Sequence, residues 1–521
     1  MSQEKMIKAL LYLKVYPHKV RKIKLIQTYI SWVLLTGNYV YKIKKPVKYS
    51  HLNFSTLKRR EFFCKEELRL NRRICPEVYL DVVPITKKGK KIEIGGQGRI
   101  IDWAIKMKQL QPKWALDYLA IKKKVTKPKI DKIAKIIAQF HSQARTSSYI
   151  KRFGTLKVIK KNWRENFKQT ENFVDQTISK PIFNFIRNKI NEYFIENRSL
   201  FKKRISQDKI KDCHGDLLAS DIYVLPKKIY ITDCIEFNRR FRYQDTASDI
   251  AFLAMDLDFL GRSDLSDYLI ERYITYTKDK ELTKLLSFYK CYRAYVRGKV
   301  YSFNTRDLSI PKEEREKFKE KAQAHFALAF RYAYQFSKSK PFLLIMCGLV
   351  GSGKSWIASH LTQVTLAQHI RSDLARKEIL GIKPFEHRKK GLERIYAEAV
   401  TNRVYKEIIK RARKLLKDGR PVVLDATFGK QYHRDLAFKM AKSIKIPYWL
   451  IECFTPEKTI LKFLRKRRKI KEISDADIKV YLKTKKEFEP LKITKEHYIK
   501  VDTPKGINWC VNKVLNRVLK V

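Results

Sequence analysis

Residues 341–358 read PFLLIMCGLVGSGKSWIA, an apolar run that passes without a break into Gly348-x-x-x-x-Gly353-Lys354-Ser355. Each part of that pattern answers a chemical need. Around Gly348, Gly351, Ser352 and Gly353 consecutive backbone N–H groups can turn inward to phosphate oxygens, Lys354 brings a point charge to the outer phosphates, and the Ser355 hydroxyl suits Mg²⁺. Such a loop sits between a buried strand and a helix whose N-terminus faces the anion. The stretch 342–347 has the apolarity of a central parallel strand, and 355–368 has enough helix-compatible residues for roughly three turns.

Outward from the loop, residues 420–428, RPVVLDATF, place Asp425 at the C-terminal end of a second apolar strand, the end at which open parallel sheets bind ligands. A carboxylate there can organise Mg²⁺ opposite Ser355. Between the two strands, 369–380 read HIRSDLARKEIL, with Asp373 and Arg376 three apart and on one face if a helix opens here. Asp373 is suited to accept a hydroxyl proton and Arg376 to grip an acidic substrate group, although a solvent-facing salt bridge explains the same spacing. Further on, 464–469 read LRKRRK. Arg465, Arg467 and Arg468 there either reach over a transferred phosphate or form a solvated basic face.

Residues 340–505 resemble the AAA_33 or zeta-toxin-like group of P-loop kinases, a group related to polynucleotide kinase, through GLVGSGKS, IRSDLARKEIL, VVLDATF and the RKRRKIKEISDAD segment. The resemblance implies ATP-dependent phosphorylation of a hydroxyl, with Asp373 as base, Arg376 on substrate, and Arg465 and Arg468 as lid arginines. It leaves the acceptor open.

A second signal lies upstream. Residues 213–238, CHGDLLASDIYVLPKKIYITDCIEFN, carry a polar turn with His214 and Asp216, then two apolar segments with Asp221 and Asp233 at their edges. Three carboxylates in such turns can hold a nucleotide's Mg²⁺, or the segment is a structural turn. Residues 32–47, WVLLTGNYVYKIKKPV, read as a hairpin turning at Gly37-Asn38, which points one of Lys42, Lys44 or Lys45 inward.

Together these segments resemble the aminoglycoside-phosphotransferase and protein-kinase-like fold over about residues 15–300, including ASDIAFLAMDLDFLGR and YRAYVRGK. The resemblance implies that Asp216 is the catalytic or substrate-orienting residue, that Asp233 binds Mg²⁺, and that Lys42 is the nucleotide lysine with Glu67 as its partner. Two departures stand out. Leu218 occupies the usual second histidine position, and Asp221 stands where an Asn completes metal coordination. Proteins that join these two domains are described as bifunctional aminoglycoside-phosphotransferase-like and ATP-binding. An aminoglycoside is strongly cationic, and so basic a chain needs a local acidic pocket to attract one; acidic residues stand at 245, 249, 256 and 258, where they either supply that pocket or serve helix contacts.

With 521 residues the chain holds two or three cores, and 44% hydrophobic content can fill them. The expected division is a kinase-like, two-lobed domain over 1–330 and a P-loop kinase domain with a mostly parallel sheet over 338–521, an α/β and α+β multidomain chain. A charged, helix-compatible stretch, 311–337, joins them. The eight cysteines form no CxxC pair and read as buried thiols of a reducing compartment. No apolar stretch reaches the roughly 18–20 residues that span a bilayer, and the start lacks a small-residue cleavage signal, so a cytoplasmic, non-membrane protein is expected. The formal charge of +61 admits a nucleic-acid partner, yet lysines recur along the whole chain rather than on one module.

The reading is an ATP- and Mg²⁺-dependent phosphotransferase acting on a small-molecule hydroxyl. Its alternatives are a polynucleotide 5′-hydroxyl or RNA-directed kinase, and a nucleotide-regulated scaffold with an N-terminal pseudokinase. Oligomeric state is not legible.

Overall fold

The computed structural model describes residues 3–49, 52–383, 395, 397–467 and 478–520, with backbone alone at 466, 467 and 479. By packing, the chain forms two compact units, one of Met1–Arg164 with Glu196–Arg293 and the other of Glu165–Ile195 with Ala294–Val521. A six-stranded antiparallel sheet lies in the first and a five-stranded parallel sheet, with the glycine-rich loop after its central strand, in the second, the α+β and α/β classes expected from the sequence.

The first sheet has six strands: β1 (Lys24–Gln27), β2 (Ser31–Leu35), β3 (Tyr39–Lys44), β4 (Tyr79–Lys88), β5 (Lys91–Ile94) and β6 (Arg99–Lys108), in the order β1-β2-β3-β6-β4-β5. β2 and β3 form the hairpin, and Gly37 takes the left-handed φ of +99° that its tight turn requires. Strand periodicity then sorts β3: Tyr41 and Ile43 enter an apolar cluster with Leu34, Ile85 and Ala104, while Lys42 and Lys44 share the opposite face. Against β6 and β4 lies α1 (Leu57–Asn71), opened by Thr56, whose hydroxyl accepts from the Arg59 N–H. Its buried residues include Cys64, Glu67, Leu70 and Asn71, spaced at helical intervals, so the helix presents a carboxylate to the same sheet face as the two lysines. Later in this unit α2 (Thr246–Phe259) starts at Asp245, which accepts from the Ala247 N–H.

In the second unit α3 (Lys312–Phe336) has a charged first half, and its second half buries Phe326, Leu328, Phe330 and Ala333. The sheet follows: β7 (Leu343–Cys347), β8 (Gln368–Arg371), β9 (Val422–Asp425), β10 (Tyr448–Phe454) and β11 (Tyr498–Asp502), all parallel in the order β8-β9-β7-β10-β11. All five residues of β7 are buried, as the continuous apolar run demands of a central strand covered on both faces. The helices of this unit include α4 (Lys354–Thr365), α5 (Ser372–Ile379), α6 (Glu398–Lys417), α7 (Gln431–Ser443), α8 (Glu457–Arg467) and α9 (Ile478–Lys486). Leu343, Ile345, Val422, Leu424 and Leu450 pack with Val404 and Ile408 of α6 and Ala437 and Phe438 of α7. All eight cysteines are buried and free. Among the described residues no helix is long and apolar enough to cross a membrane.

Candidate functional site

In the second unit the register of the parallel sheet assembles the site. Asp425 ends β9 opposite Met346 of β7 on one side and Arg371 of β8 on the other. The glycine-rich loop leaves β7 one residue beyond Met346, and α4 starts at Lys354 with Gly353 at φ +86° as its cap. Ser355 on the first turn of α4 brings its hydroxyl close enough to the Asp425 carboxylate to favour its ionised form. His369 Nε2 lies 3.1 Å from Asp425 Oδ2, and Arg371 Nε is 3.8 Å from the same oxygen. Burial alone would raise the Asp425 pKa, but the bond from His369, the Ser355 hydroxyl and the charge of Lys354 hold it below the ordinary carboxylate value. A hydroxyl and an ionised carboxylate thus meet at the mouth of the loop.

The loop is held from several directions. The Gly348 N–H donates to Thr427 O just past β9. Thr455 and Thr503, beyond β10 and β11, both donate their hydroxyls to Ser352 O, at 3.1 and 2.9 Å. There is no room for a side chain: a Cβ on Gly348 would stand 2.7 Å from Cys453 O, and one on Gly353 2.6 Å from Thr503 Cγ2. Lys354 Nζ donates to Leu349 O at 2.7 Å, and its burial pulls its pKa below the ordinary lysine value. Leu349 and Val350 pack with Ile460 and Leu464 of α8 and Tyr481 of α9.

Asp373 lies in the first turn of α5, two residues after Arg371. Arg376 on the same helix is buried, and its Nη1 donates to Ile395 O at 3.0 Å and to Thr401 Oγ1 at 3.1 Å. Those bonds fix α5 against α6. Arg465 is exposed on α8, and Arg468 lies outside the described residues.

The first unit gathers a second set. Lys42 Nζ lies 2.8 Å from Glu67 Oε1 and 2.5 Å from Asp233 Oδ1, so strand β3, helix α1 and the loop after residue 231 converge on one ammonium. Burial alone would lower the Lys42 pKa, and the carboxylates of Asp233 and Glu67 reverse this and hold it well above the ordinary value. Asp233 adopts φ +70°, a conformation that costs on the order of 1 kcal/mol in a non-glycine residue and persists where neighbours enforce it. The enforcing bonds are visible: the Asp233 N–H donates to Tyr79 OH at 3.0 Å and the Cys234 N–H to Asn71 Oδ1 at 2.9 Å.

The turn bearing Asp216 hangs from α2. Asp249 accepts from the N–H groups of His214 and Gly215 at 2.9 Å each, from Gln244 Nε2 at 2.9 Å, and pairs with His141 Nε2 at 3.0 Å. The other ring nitrogen of His141 meets Tyr273 OH at 2.7 Å, so His141, Cys213 and Asp249, although clustered closely enough for a metal, already use their bonding directions internally. His214 Nε2 contacts Thr232 O at 2.9 Å, and Thr232 donates through both N–H and hydroxyl to Asp221 O, which sets Asp221 beside the Asp233 loop. Leu218 is buried. The four acidic residues serve contacts within the fold, the second of the two roles open to them: Asp245 pairs with Arg204, Asp249 holds the turn, Asp256 accepts from the Ala219 N–H, and Asp258 pairs with Lys290.

Sequence reading missed His369, Arg371, Thr455 and Thr503 in one site and Asn71, Tyr79 and Glu236 in the other, and it named Lys44 only as an alternative to Lys42. Lys44 had a signal, since it stands two residues from Lys42 and a strand puts both on one face.

Residues 343–491 match the family of AAA domains designated AAA_33. Over 416 residues, 80% of each chain, the sequence is 30% identical to Uncharacterized protein Rv2004c of Mycobacterium tuberculosis (strain ATCC 25618 / H37Rv) and to Uncharacterized protein Mb2027c of Mycobacterium bovis (strain ATCC BAA-935 / AF2122/97). Among solved structures, spectinomycin phosphotransferase APH(9)-Ia in complex with ADP and spectinomycin is 16% identical with a TM-score of 0.36, covering 63% of this chain and 98% of that one. A gluconokinase from Sinorhizobium meliloti 1021 is 17% identical with a TM-score of 0.26, covering 35% and 93%.

Proposed function

The chain belongs to the family of the mycobacterial protein Rv2004c, and from that premise we propose that it is an ATP-dependent phosphotransferase whose C-terminal domain, 338–521, transfers a γ-phosphate to the hydroxyl of a small molecule. The observation that carries this reading is the placement of Ser355, directly after the loop lysine on the first turn of α4, beside the buried Asp425 that ends the strand adjacent to β7. That hydroxyl–carboxylate pair is the donor set Mg²⁺ takes beside a triphosphate. The cradle fits phosphate as well. Its glycines exclude side chains, and Ser352 Oγ, buried among the described residues, has no hydrogen-bond partner.

In this reading Ser355 and Asp425 hold Mg²⁺, which supplies charge neutralisation at the phosphates when bound. Loop N–H groups and Lys354 bind the phosphate oxygens, for which Lys354 exchanges its bond to Leu349 O. Asp373 takes the proton of the acceptor hydroxyl as that oxygen bonds to the γ-phosphorus and the bond to the β–γ bridging oxygen breaks, releasing ADP. Arg465 and Arg468 meet the charge on the transferred group. Arg376, bonded to Ile395 and Thr401, touches substrate only if those bonds exchange.

The N-terminal domain, 1–330, binds a second nucleotide through Lys42, aligned by Glu67, with Asp233 and Asp221 as metal ligands and Asp216 at the acceptor. A nucleotide-binding domain without turnover is the second reading of this part, favoured by Asp221 and by the buried Leu218. We place the protein in the cytoplasm.

Labelled phosphate transfer from ATP into fractionated cell extract, with RNA as a separate acceptor arm, tests the proposal. Label entering a small molecule, and lost in Lys354→Ala, is expected. Label entering RNA alone moves the acceptor to a polynucleotide 5′-hydroxyl. No transfer with either sinks the enzyme reading.

A further inference from the structure

Lys44 is fully buried, which is rare for an ammonium unless carboxylates surround it. Its Nζ lies 2.6 Å from Glu67 Oε2 and also bonds Glu236 Oε1. Glu67 therefore bridges two lysines, with Oε1 toward Lys42 and Oε2 toward Lys44. Glu236 lies three residues past Asp233, so Lys44 ties β3 both to α1 and to the loop that carries Asp233. The deeper lysine is sealed from solvent, whereas Lys42 keeps a side-chain exposure of 16%. Only Lys42 is within reach of a ligand.

We propose that Lys44 is a positioning residue: it holds Glu67 and the Asp233 loop in register whether or not Lys42 is engaged with phosphate, so that the N-terminal nucleotide site is assembled before its ligand arrives. In a kinase-like site with a single lysine, the Lys–Glu pair that aligns the helix is the same pair that meets the nucleotide. Here the two tasks fall on different lysines. The arrangement also sets the charge. Two ammoniums, Lys42 and Lys44, face three carboxylates, Glu67, Asp233 and Glu236, which leaves one negative charge to favour a divalent ion. Burial, with Glu67 beside it, pushes the Glu236 carboxyl upward although Lys44 pulls the other way, so loss of the Lys44 charge disturbs this carboxylate first.

The proposal rests on the nucleotide reading of this site, and its test separates the two. In the full chain carrying Lys354→Ala to silence the other loop, hydrogen exchange at the Asp233 and Cys234 amides is compared for Lys42→Met, Lys44→Arg and the double variant Lys44→Met/Glu236→Gln. The double variant removes one charge of each sign and so avoids stranding Glu236. Expected is a loss of amide protection of about tenfold or more in the double variant, with Lys42→Met within about twofold of the parent and Lys44→Arg between them. Mg·ATP binding is then expected to need several-fold more Mg²⁺ in the double variant, with the global Tm little changed. Unaltered protection in the double variant, or equal loss in Lys42→Met, overturns the proposal. So does lost protection with an unchanged Mg²⁺ requirement. The exchange arm needs no nucleotide, so a parent that binds no ATP refutes the nucleotide reading while exchange still decides the role of Lys44.

Discussion

Lys42 Nζ stands 2.5 Å from Asp233 Oδ1 and 2.8 Å from Glu67 Oε1, a single cation shared by a helix carboxylate and a loop carboxylate. A phosphate that binds Lys42 competes with Asp233 for it, and a divalent ion at Asp233 compensates the exchange. Lys42→Met is therefore expected to weaken Mg·ATP binding at this site by about tenfold or more, as loss of a buried charge-assisted bond does. Calorimetric titration of the full chain with Lys354→Ala in the background measures it. Undiminished affinity removes Lys42 from the nucleotide.

Asp221 brings one more negative charge to the same region than an asparagine would. Asp221→Asn keeps a ligating oxygen and lowers repulsion toward a triphosphate, so the Mg²⁺ and Mn²⁺ curves for ATP binding should shift relative to the parent. Superimposable curves would take Asp221 out of the site.

The proposed mechanism gives Asp373 and Asp425 at the other site separable tasks. Asp373→Asn should lower transfer about 10²- to 10⁴-fold, the usual worth of a general base, while Mg·ATP affinity stays near the parent value. Asp425→Asn should instead raise the Mg²⁺ concentration needed for binding. Single-turnover transfer and equilibrium binding on the same preparations distinguish them, and parallel losses of binding in both variants contradict the assignment.

Gly353 and Gly381 offer a matched steric contrast. Both have left-handed φ, +86° and +65°, but an added Cβ meets Thr503 Cγ2 at 2.6 Å in the first and nothing within 4 Å in the second. Gly381→Ala should cost only the backbone strain, about 1 kcal/mol. Gly353→Ala adds a collision at the phosphate loop, and both its Tm and its ATP affinity should fall further. Equal effects in thermal melts and binding would mean the loop yields freely.

Asp249 is expected to contribute to the acid stability of the first unit. Burial would raise its pKa, but the His141 bond, with the charges of His214 and Arg293, depresses it below the unfolded value. A depressed carboxylate contributes stability that is complete above the unfolded pKa of about 4 and is lost as pH falls through the folded value. Melting curves of the parent and Asp249→Asn should thus differ most near neutrality and converge in acid. A difference independent of pH would show that its charge plays no part.

The C-terminal site was largely legible because its pattern is local: Gly348 to Ser355 is one uninterrupted segment, and Asp425 ends an unmistakable apolar strand. What escaped notice arrives through sheet order. His369 reaches Asp425 only because β8 and β9 are neighbours, and Thr503 reaches Ser352 across 151 positions. The N-terminal lysine, helix glutamate and loop aspartate were named from resemblance, yet the sequence did not choose among Lys42, Lys44 and Lys45, since periodicity alone cannot say how deep each lies. Arg376 shows the opposite limit. Its one-face spacing with Asp373 carries no information on depth, and in the fold the guanidinium is buried and bonds to Ile395 O and Thr401 Oγ1.

The two threonine bonds on Ser352 O have a consequence for biosynthesis. Ribosomes deliver the glycine loop about 100 residues before Thr455 and about 150 before Thr503, the two hydroxyls that hold it. A nascent chain released before Thr455 carries the whole phosphate sequence without either support, and one released between Thr455 and Thr503 has only the first, so competence to retain nucleotide should become complete when β11 emerges and docks rather than when the loop itself is translated.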